Sequence, residues 1–184
     1  MRWYFGILIG LLLAGTVTGD ELIDRIIVGP RIGMYDAAEA SEWNDAVGAM
    51  ARYRHGNWGL EASVYYREEW VENETIWIKG WPAEFSGMFY PLKPVYVLSG
   101  LAIYNVFAQY DRSVEKLAAL ESGNRFSWGY HVGAGLQVQL GERSHLALDG
   151  RYVWFDYKLQ DFPGSSDIAS DAWMVTTALM FNFR

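Results

Sequence analysis

The sequence has no cysteine, only 5 prolines in 184 residues, and fewer bases than acids, 15 against 22. Without cysteine there is no structural disulfide, no thiolate metal site and no thiol nucleophile. A formal net charge of −7 withholds the basic footprint that a nucleic-acid binder requires, so no nucleic-acid partner is expected. With 20% charged and 51% hydrophobic residues, the chain is also no acidic disordered tail. Beyond the amino terminus no apolar run approaches the roughly 20 residues of a membrane-spanning helix. What is abundant is aromatic: 9 Trp, 12 Tyr and 9 Phe in a chain whose mean hydropathy is −0.03. The length suits one domain with a full core or a closed barrel.

The amino terminus reads as an address. Met1-Arg2 precedes the apolar run Ile7 to Ala14, then Val17-Thr18-Gly19, then Asp20-Glu21. One positive residue, a short apolar core and small residues at the −3 and −1 positions are the layout of a secretory signal. Cleavage is expected after Gly19, so that 1–19 is the signal peptide and 20–184 the working domain.

From Arg25 onward the period is two. Between Ser127 and Leu140, Trp128, Tyr130, Val132, Ala134, Leu136, Val138 and Leu140 share one face, while Gly129, His131, Gly133, Gly135, Gln137 and Gln139 share the other. Successive side chains of a strand point to opposite faces, so this is a strand with one apolar and one small or polar side. The same pattern predicts eight strands, near 25–35, 45–54, 58–70, 77–89, 95–109, 127–140, 145–157 and 172–183. Pro82 falls inside the fourth and predicts a bulge or edge irregularity there. Short connections at 55–57, 91–94 and 141–144 alternate with mostly longer, polar ones at 36–44, 71–76, 110–126 and 158–171. Within the third long connection, 114–120 has the composition of a short helix.

Alternation alone also fits a soluble barrel or sandwich with its apolar face inward. Three features favour the inverse. Tyr53, Trp58, Tyr66, Trp128, Tyr130, Tyr152, Trp154, Trp173 and Phe183 lie on the apolar face near strand ends, where two membrane interfaces select amphipathic rings. The opposite face mixes glycine with Arg, Glu, Asp and Gln, and an eight-strand interior is just wide enough for such side chains to fill. Strands of this length cross a bilayer when tilted, and hydrocarbon forbids an open sheet edge. The expected fold is all-β: an eight-stranded, antiparallel, up-and-down transmembrane β-barrel. Its short turns and both termini face the periplasm and its long loops face outward.

Several segments resemble the small OmpA-like outer-membrane β-barrel family. These are Tyr130-His131-Val132-Gly133-Ala134-Gly135-Leu136-Gln137-Val138, the strand around Leu148-Asp149-Gly150-Arg151-Tyr152, the Pro94-Val95-Tyr96-Val97 opening and the Asn57-Trp58-Gly59-Leu60-Glu61-Ala62 hairpin. The resemblance spans about residues 25–184. It implies a bacterial outer-membrane location, lipids and lipopolysaccharide as surroundings, and the barrel-assembly machinery as a partner in biogenesis. Val175, Leu179, Phe181 and Phe183 match the alternating aromatic-ended pattern that resembles the assembly signal, although Arg184 follows where the family ends on the aromatic residue.

The inward face offers Arg31, Arg52, Glu61, Glu84, His131, Gln137, Asp149 and Arg151, with Arg54 and Arg67 beside them. Paired charges filling the lumen are expected, because an unpaired buried charge is expensive; an ion path is the alternative. Lipid A-modifying enzymes occur on similar small barrels, but His55, His131 and His145 show no His-x-Ser arrangement, and Ser144 and His145 project to opposite faces of a strand. No catalytic, cofactor or metal residues are therefore assigned. The acidic long loops, with Asp36, Glu39, Glu42, Glu72, Glu74, Asp161, Asp167 and Asp171, read as solvated surface, with divalent-ion bridging to lipopolysaccharide as the alternative. The function expected is a structural or surface-interaction role, with a narrow porin-like channel for ions or small solutes second and a lipid A-modifying enzyme third.

Overall fold

Alternating strands joined by tight and long connections have one way to leave no edge unpaired, and the chain takes it. The computed structural model describes residues 25–37, 43–71, 76–110, 123–157, 168–169 and 171–182. They form β1 (Arg25–Ala37), β2 (Asn44–His55), β3 (Trp58–Val71), β4 (Ile76–Gly80), β5 (Ala83–Phe89), β6 (Val95–Tyr110), β7 (Gly123–Gln139), β8 (Ser144–Tyr157), β9 (Ile168–Ala169) and β10 (Ala172–Asn182). Every pairing is antiparallel. β10 turns back onto β1, with Val28 opposite Phe181 and Ala37 opposite Ala172, and closes the sheet. β4 and β5 share one position between β3 and β6, and β9 only extends the edge of β8, so the cylinder has eight staves.

The irregularity expected at Pro82 is a break in the strand at Trp81-Pro82 and not a bulge. Arg67 pairs with Gly80 and Val64 with Ala83, while Gly80 pairs with Val106 and Ala83 with Ile103, so the register passes through unchanged on both sides. Proline lacks the N–H that the ladder would use, but the carbonyl of Pro82 still accepts from Tyr65 N at 3.2 Å, and Trp81 N donates to Asn105 O at 3.1 Å. β6 and β7 also run past their predicted ends, and β1 takes in Asp36 and Ala37, which the pattern assigned to a loop. The β2–β3 connection is a two-residue hairpin turn whose Gly56 has φ of 56°, the left-handed region that glycine occupies freely. The signal peptide, the 114–120 helix and most loop carboxylates lie outside the described residues, as do Phe183 and Arg184.

Burial is inverted relative to a water-soluble protein. On the outer wall Ile32, Leu60, Phe85 and Leu101 are 56%, 62%, 56% and 58% exposed, whereas Arg31, Glu84 and Arg151 inside are 2%, 0% and 0% exposed. Along β1 the outward residues are Ile26, Val28, Pro30, Ile32 and Met34 before Asp36; along β3 they are Trp58, Leu60, Ala62, Val64 and Tyr66 before Glu68. A wall this apolar, around an interior this charged, is stable where the surrounding solvent is hydrocarbon. Among the described residues no helix is long and apolar enough to cross a membrane.

Candidate functional site

The barrel axis is occupied by side chains in three tiers, and the middle tier carries the charge. Antiparallel register places Arg52 directly opposite Glu61, and the guanidinium Nε donates to Glu61 Oε2 at 2.7 Å. Its other nitrogens donate to Gln137 Oε1 at 3.1 Å, to the Tyr96 hydroxyl at 2.8 Å and to Asp149 Oδ2 at 3.3 Å. Arg151 spends its whole fork on carboxylates: Asp149 Oδ1 at 2.7 Å, Glu84 Oε2 at 2.9 Å and Glu61 Oε1 at 2.6 Å. Arg31 donates to Glu84 Oε2 at 3.0 Å and Ser63 Oγ at 2.8 Å. Tyr65 Oη donates to Glu84 Oε1 at 3.1 Å, Thr176 Oγ1 to Asp149 Oδ1 at 3.0 Å, and Tyr96 Oη to Asp149 Oδ2 at 2.9 Å. Three arginines thus meet three carboxylates in one connected network with no net charge. Charge-assisted bonds of this length are the strong ones, and the planar guanidinium suits carboxylate pairs.

Glycine makes the space. A Cβ on Gly135 would lie 2.6 Å from the Tyr96 ring and hydroxyl, and one on Gly133 would lie 3.0 Å from Arg151 Cγ. These two inward glycines of β7 are therefore the reason Tyr96 and Arg151 can lie across their neighbouring strand and reach the axis.

Above and below, the tiers are apolar and aromatic. Toward the long loops Tyr35, Tyr65, Ile78, Tyr104, Val106, Val153, Phe155 and Met174 pack together. A second ion pair, Arg67 to Glu69 at 2.6 Å, sits within them, its guanidinium 4.3 Å from the Tyr35 ring centroid and 5.0 Å from that of Phe155. Toward the short turns Ile27, Met50, Ala147, Ala178 and Met180 form one cluster and Met88, Tyr90, Tyr96 and Leu98 another. There Arg54 lies 3.8 Å over the Tyr90 ring and donates to the Gly56 carbonyl at 2.9 Å. Cation–π contact adds to the carboxylate partner of Arg67 and is, with the Gly56 carbonyl, what holds Arg54.

All eight residues predicted for the luminal face lie on it and are buried. Seven belong to the network: Arg31, Arg52, Glu61, Glu84, Gln137, Asp149 and Arg151. The eighth, His131, joins Ser86 instead, with Oγ to Nε2 at 2.8 Å. Those two meet across Gly100, which pairs with both and puts no side chain between them. Sequence reasoning missed this Ser–His contact, since 45 residues separate the partners; only the strand order brings them together. It also missed the tyrosine hydroxyls. Tyr65 falls on the polar face of its strand beside Glu61 and Ser63, whereas Tyr90 and Tyr96 carry no polar signal in a linear pattern, yet all three hydroxyls satisfy network atoms. The Ser86–His131 pair is sealed inside the wall, with 4% and 0% exposure, and offers no entry to a substrate. Ser144 and His145 do face opposite ways, His145 inward and buried. Among the described residues no group of three or more His, Asp or Glu side chains is placed to hold a metal ion.

On the outer wall, Tyr130, Trp154, Tyr152 and Trp173 form a continuous aromatic strip across β7, β8 and β10, with centroids 5.0, 4.7 and 4.9 Å apart. Trp128 stands beside it, and Tyr66 packs on Trp81 at 5.2 Å. At the short-turn end Tyr53 is exposed and Trp58 packs on Phe89 at 4.9 Å. The rings are thus concentrated at the long-loop end. Val175, Leu179 and Phe181 of the predicted assembly signal share the outer face of β10.

This geometry has solved counterparts. The Neisserial surface protein A matches with a TM-score of 0.57 at 14% identity, over 86% of this chain and 97% of that one. The N-terminal β-barrel domain of Pseudomonas aeruginosa OprF matches with a TM-score of 0.55 at 17% identity, over 87% and 98%. The chain has the fold of the small eight-stranded outer-membrane barrels. The Yersinia pestis outer membrane protein Ail in a phospholipid nanodisc is a further likeness of this barrel, with a TM-score of 0.50 at 16% identity. No family model and no curated protein matches the sequence.

Proposed function

We propose that this is an integral outer-membrane protein whose lumen is closed by its own side chains and whose role is structural or surface-interactive rather than transporting or catalytic. The observation that supports this most is the neutral six-charge network at mid-barrel. Arg151 and Glu84 in it are wholly buried, and aromatic and methionine clusters cover it at both ends. An eight-strand cylinder has room for side chains and little else, whereas an aqueous porin uses 16 or more strands. Each charge in the network already has a partner, so an ion crossing it has to break bonds of 2.6–3.0 Å.

In this proposal both termini and the three short turns face the periplasm, and the long loops carry any recognition at the cell surface. Outer-membrane lipid and lipopolysaccharide surround the wall, and the barrel-assembly machinery receives the β10 end of the chain. The experiment is conductance across a planar bilayer holding the refolded mature protein. A silent membrane under applied voltage is the expected result. Steady single-channel steps from a preparation whose barrel resists detergent until boiled would overturn the closed lumen and favour the narrow channel.

A further inference from the structure

The outer wall is not uniform in charge at its long-loop end. At that level stand Asp171, just before β10, and the outward Asp36 of β1 and Asp45 of β2. On β4 stands Lys79, the one outward-facing lysine or arginine of the strands among the described side chains. Its ammonium lies 4.3 Å from the Trp77 ring centroid and 5.5 Å from that of Phe107, its neighbour on β6. The residue opposite it on β3 is Glu68. No ion pair joins the two among the described residues; the Glu68 carboxylate accepts from Tyr66 Oη at 2.8 Å.

Rings surround this cation. Trp77 stacks on Trp70 at 5.9 Å above it, and Trp81, 59% exposed, packs on Tyr66 below it. Phe126, 70% exposed, stands on β7 opposite Asn105, so that the apolar wall reaches higher on this side than on the acidic one. A partly buried lysine held against aromatic faces, its opposing carboxylate taken up by Tyr66, keeps hydrogen-bonding directions open toward the lipid interface.

We propose that this β3–β4–β6 face seats the phosphorylated head group of an anionic outer-leaflet lipid, with Lys79 on the phosphate and Trp77 and Trp81 at the head-group level. Charge complementarity selects the occupant. The phosphate is drawn to the one outward strand cation among the described side chains, whose opposing carboxylate, Glu68, is engaged by the Tyr66 hydroxyl; on the far side Asp171, Asp36 and Asp45 have no outward base to offset them, so anionic lipid gathers on one side of the barrel. The inference rests on the outer-membrane placement proposed above.

The test is native mass spectrometry of the refolded protein released from phosphatidylcholine nanodiscs doped with bisphosphorylated lipid A or its dephosphorylated form. The parent should retain the phosphorylated lipid in preference. Lys79→Met keeps the stem among the rings and should lose roughly fivefold in that retention, the factor one basic residue contributes near an anionic surface. Lys93→Met, on a short turn at the other end, should retain lipid like the parent. Equal retention of both lipids, or a Lys79→Met protein indistinguishable from the parent, overturns the proposal, as does displacement of the lipid by inorganic phosphate alone. Each protein is first checked for slow migration before boiling and normal migration after it. Loss of that shift in the parent would instead sink the barrel placement itself.

Discussion

Replacing Arg151 with methionine should destabilise the barrel more than any other single change to its interior. The arginine is fully buried and donates to Asp149, Glu84 and Glu61 at 2.7, 2.9 and 2.6 Å. Methionine fills part of the volume but leaves three carboxylates facing two arginines, a charge of −1 on the mid-barrel network with no route to water. Removing one partner of a buried ion pair typically costs about 3–5 kcal/mol, chiefly through the charge left behind. The second arm is Arg151→Met with Glu61→Gln, which returns the network to neutrality. The two changes should then be less harmful together than their sum, by about 0.5–3 kcal/mol. Urea unfolding in lipid vesicles, followed by tryptophan fluorescence and by the boiled-versus-unboiled gel shift, measures all three proteins. An Arg151→Met barrel within about 0.5 kcal/mol of the parent, the range of an ordinary surface change, would refute the reasoning, as would strict additivity in the pair.

Other predictions test the packing and the wall. Gly135→Val should press on both the Tyr96 ring and the Leu148 carbonyl of the next strand and lose at least about 1–3 kcal/mol, as overpacking does. Gly150→Ala, whose new carbon meets nothing within 4 Å on the outer face, should be silent in the same titration. Phe85→Arg, at the middle of an outward apolar run, should lose about 2–4 kcal/mol, whereas Asp45→Arg near the interface should lose about 0–1. Ser86→Ala should leave His131 without its hydroxyl partner and lower stability by about 1–3 kcal/mol, the penalty of an unsatisfied buried group. A neutral result there would mean that the imidazole has another partner.

The period-two signal was legible because each strand has one face against one kind of neighbour. In β7, β8 and β10 the outward residues of the crossing are apolar save Gly150 and Thr177, and a one-residue slip would turn Arg151 and Asp149 into hydrocarbon. The same strictness made the luminal set readable. The pairing within it was not. Arg151 and Glu61 are 90 positions apart and meet only because both point to the axis of a closed ring. Pro82 marked an irregularity but not its kind, because a missing donor looks the same in sequence whether the register shifts or holds. Tyr96 misled because a ring counts as apolar until its hydroxyl has something to reach. Lys79 went unremarked because a lone outward charge among aromatics has meaning only once its neighbours on β3 and β6 are known.

The absence of cysteine permits a direct test of the arrangement on which everything rests. Single cysteines placed at Phe85, Leu101 and Val132 on the outer wall, and at Ser63, Ala147 and Ala178 inside, can each carry a nitroxide in an otherwise unlabelled protein in lipid vesicles. The outer three should be relaxed strongly by oxygen, which concentrates in hydrocarbon, and weakly by a water-soluble nickel complex. The inner three should be shielded from both. Strong nickel relaxation at Phe85, Leu101 and Val132 would place that face in water and contradict the inside-out barrel.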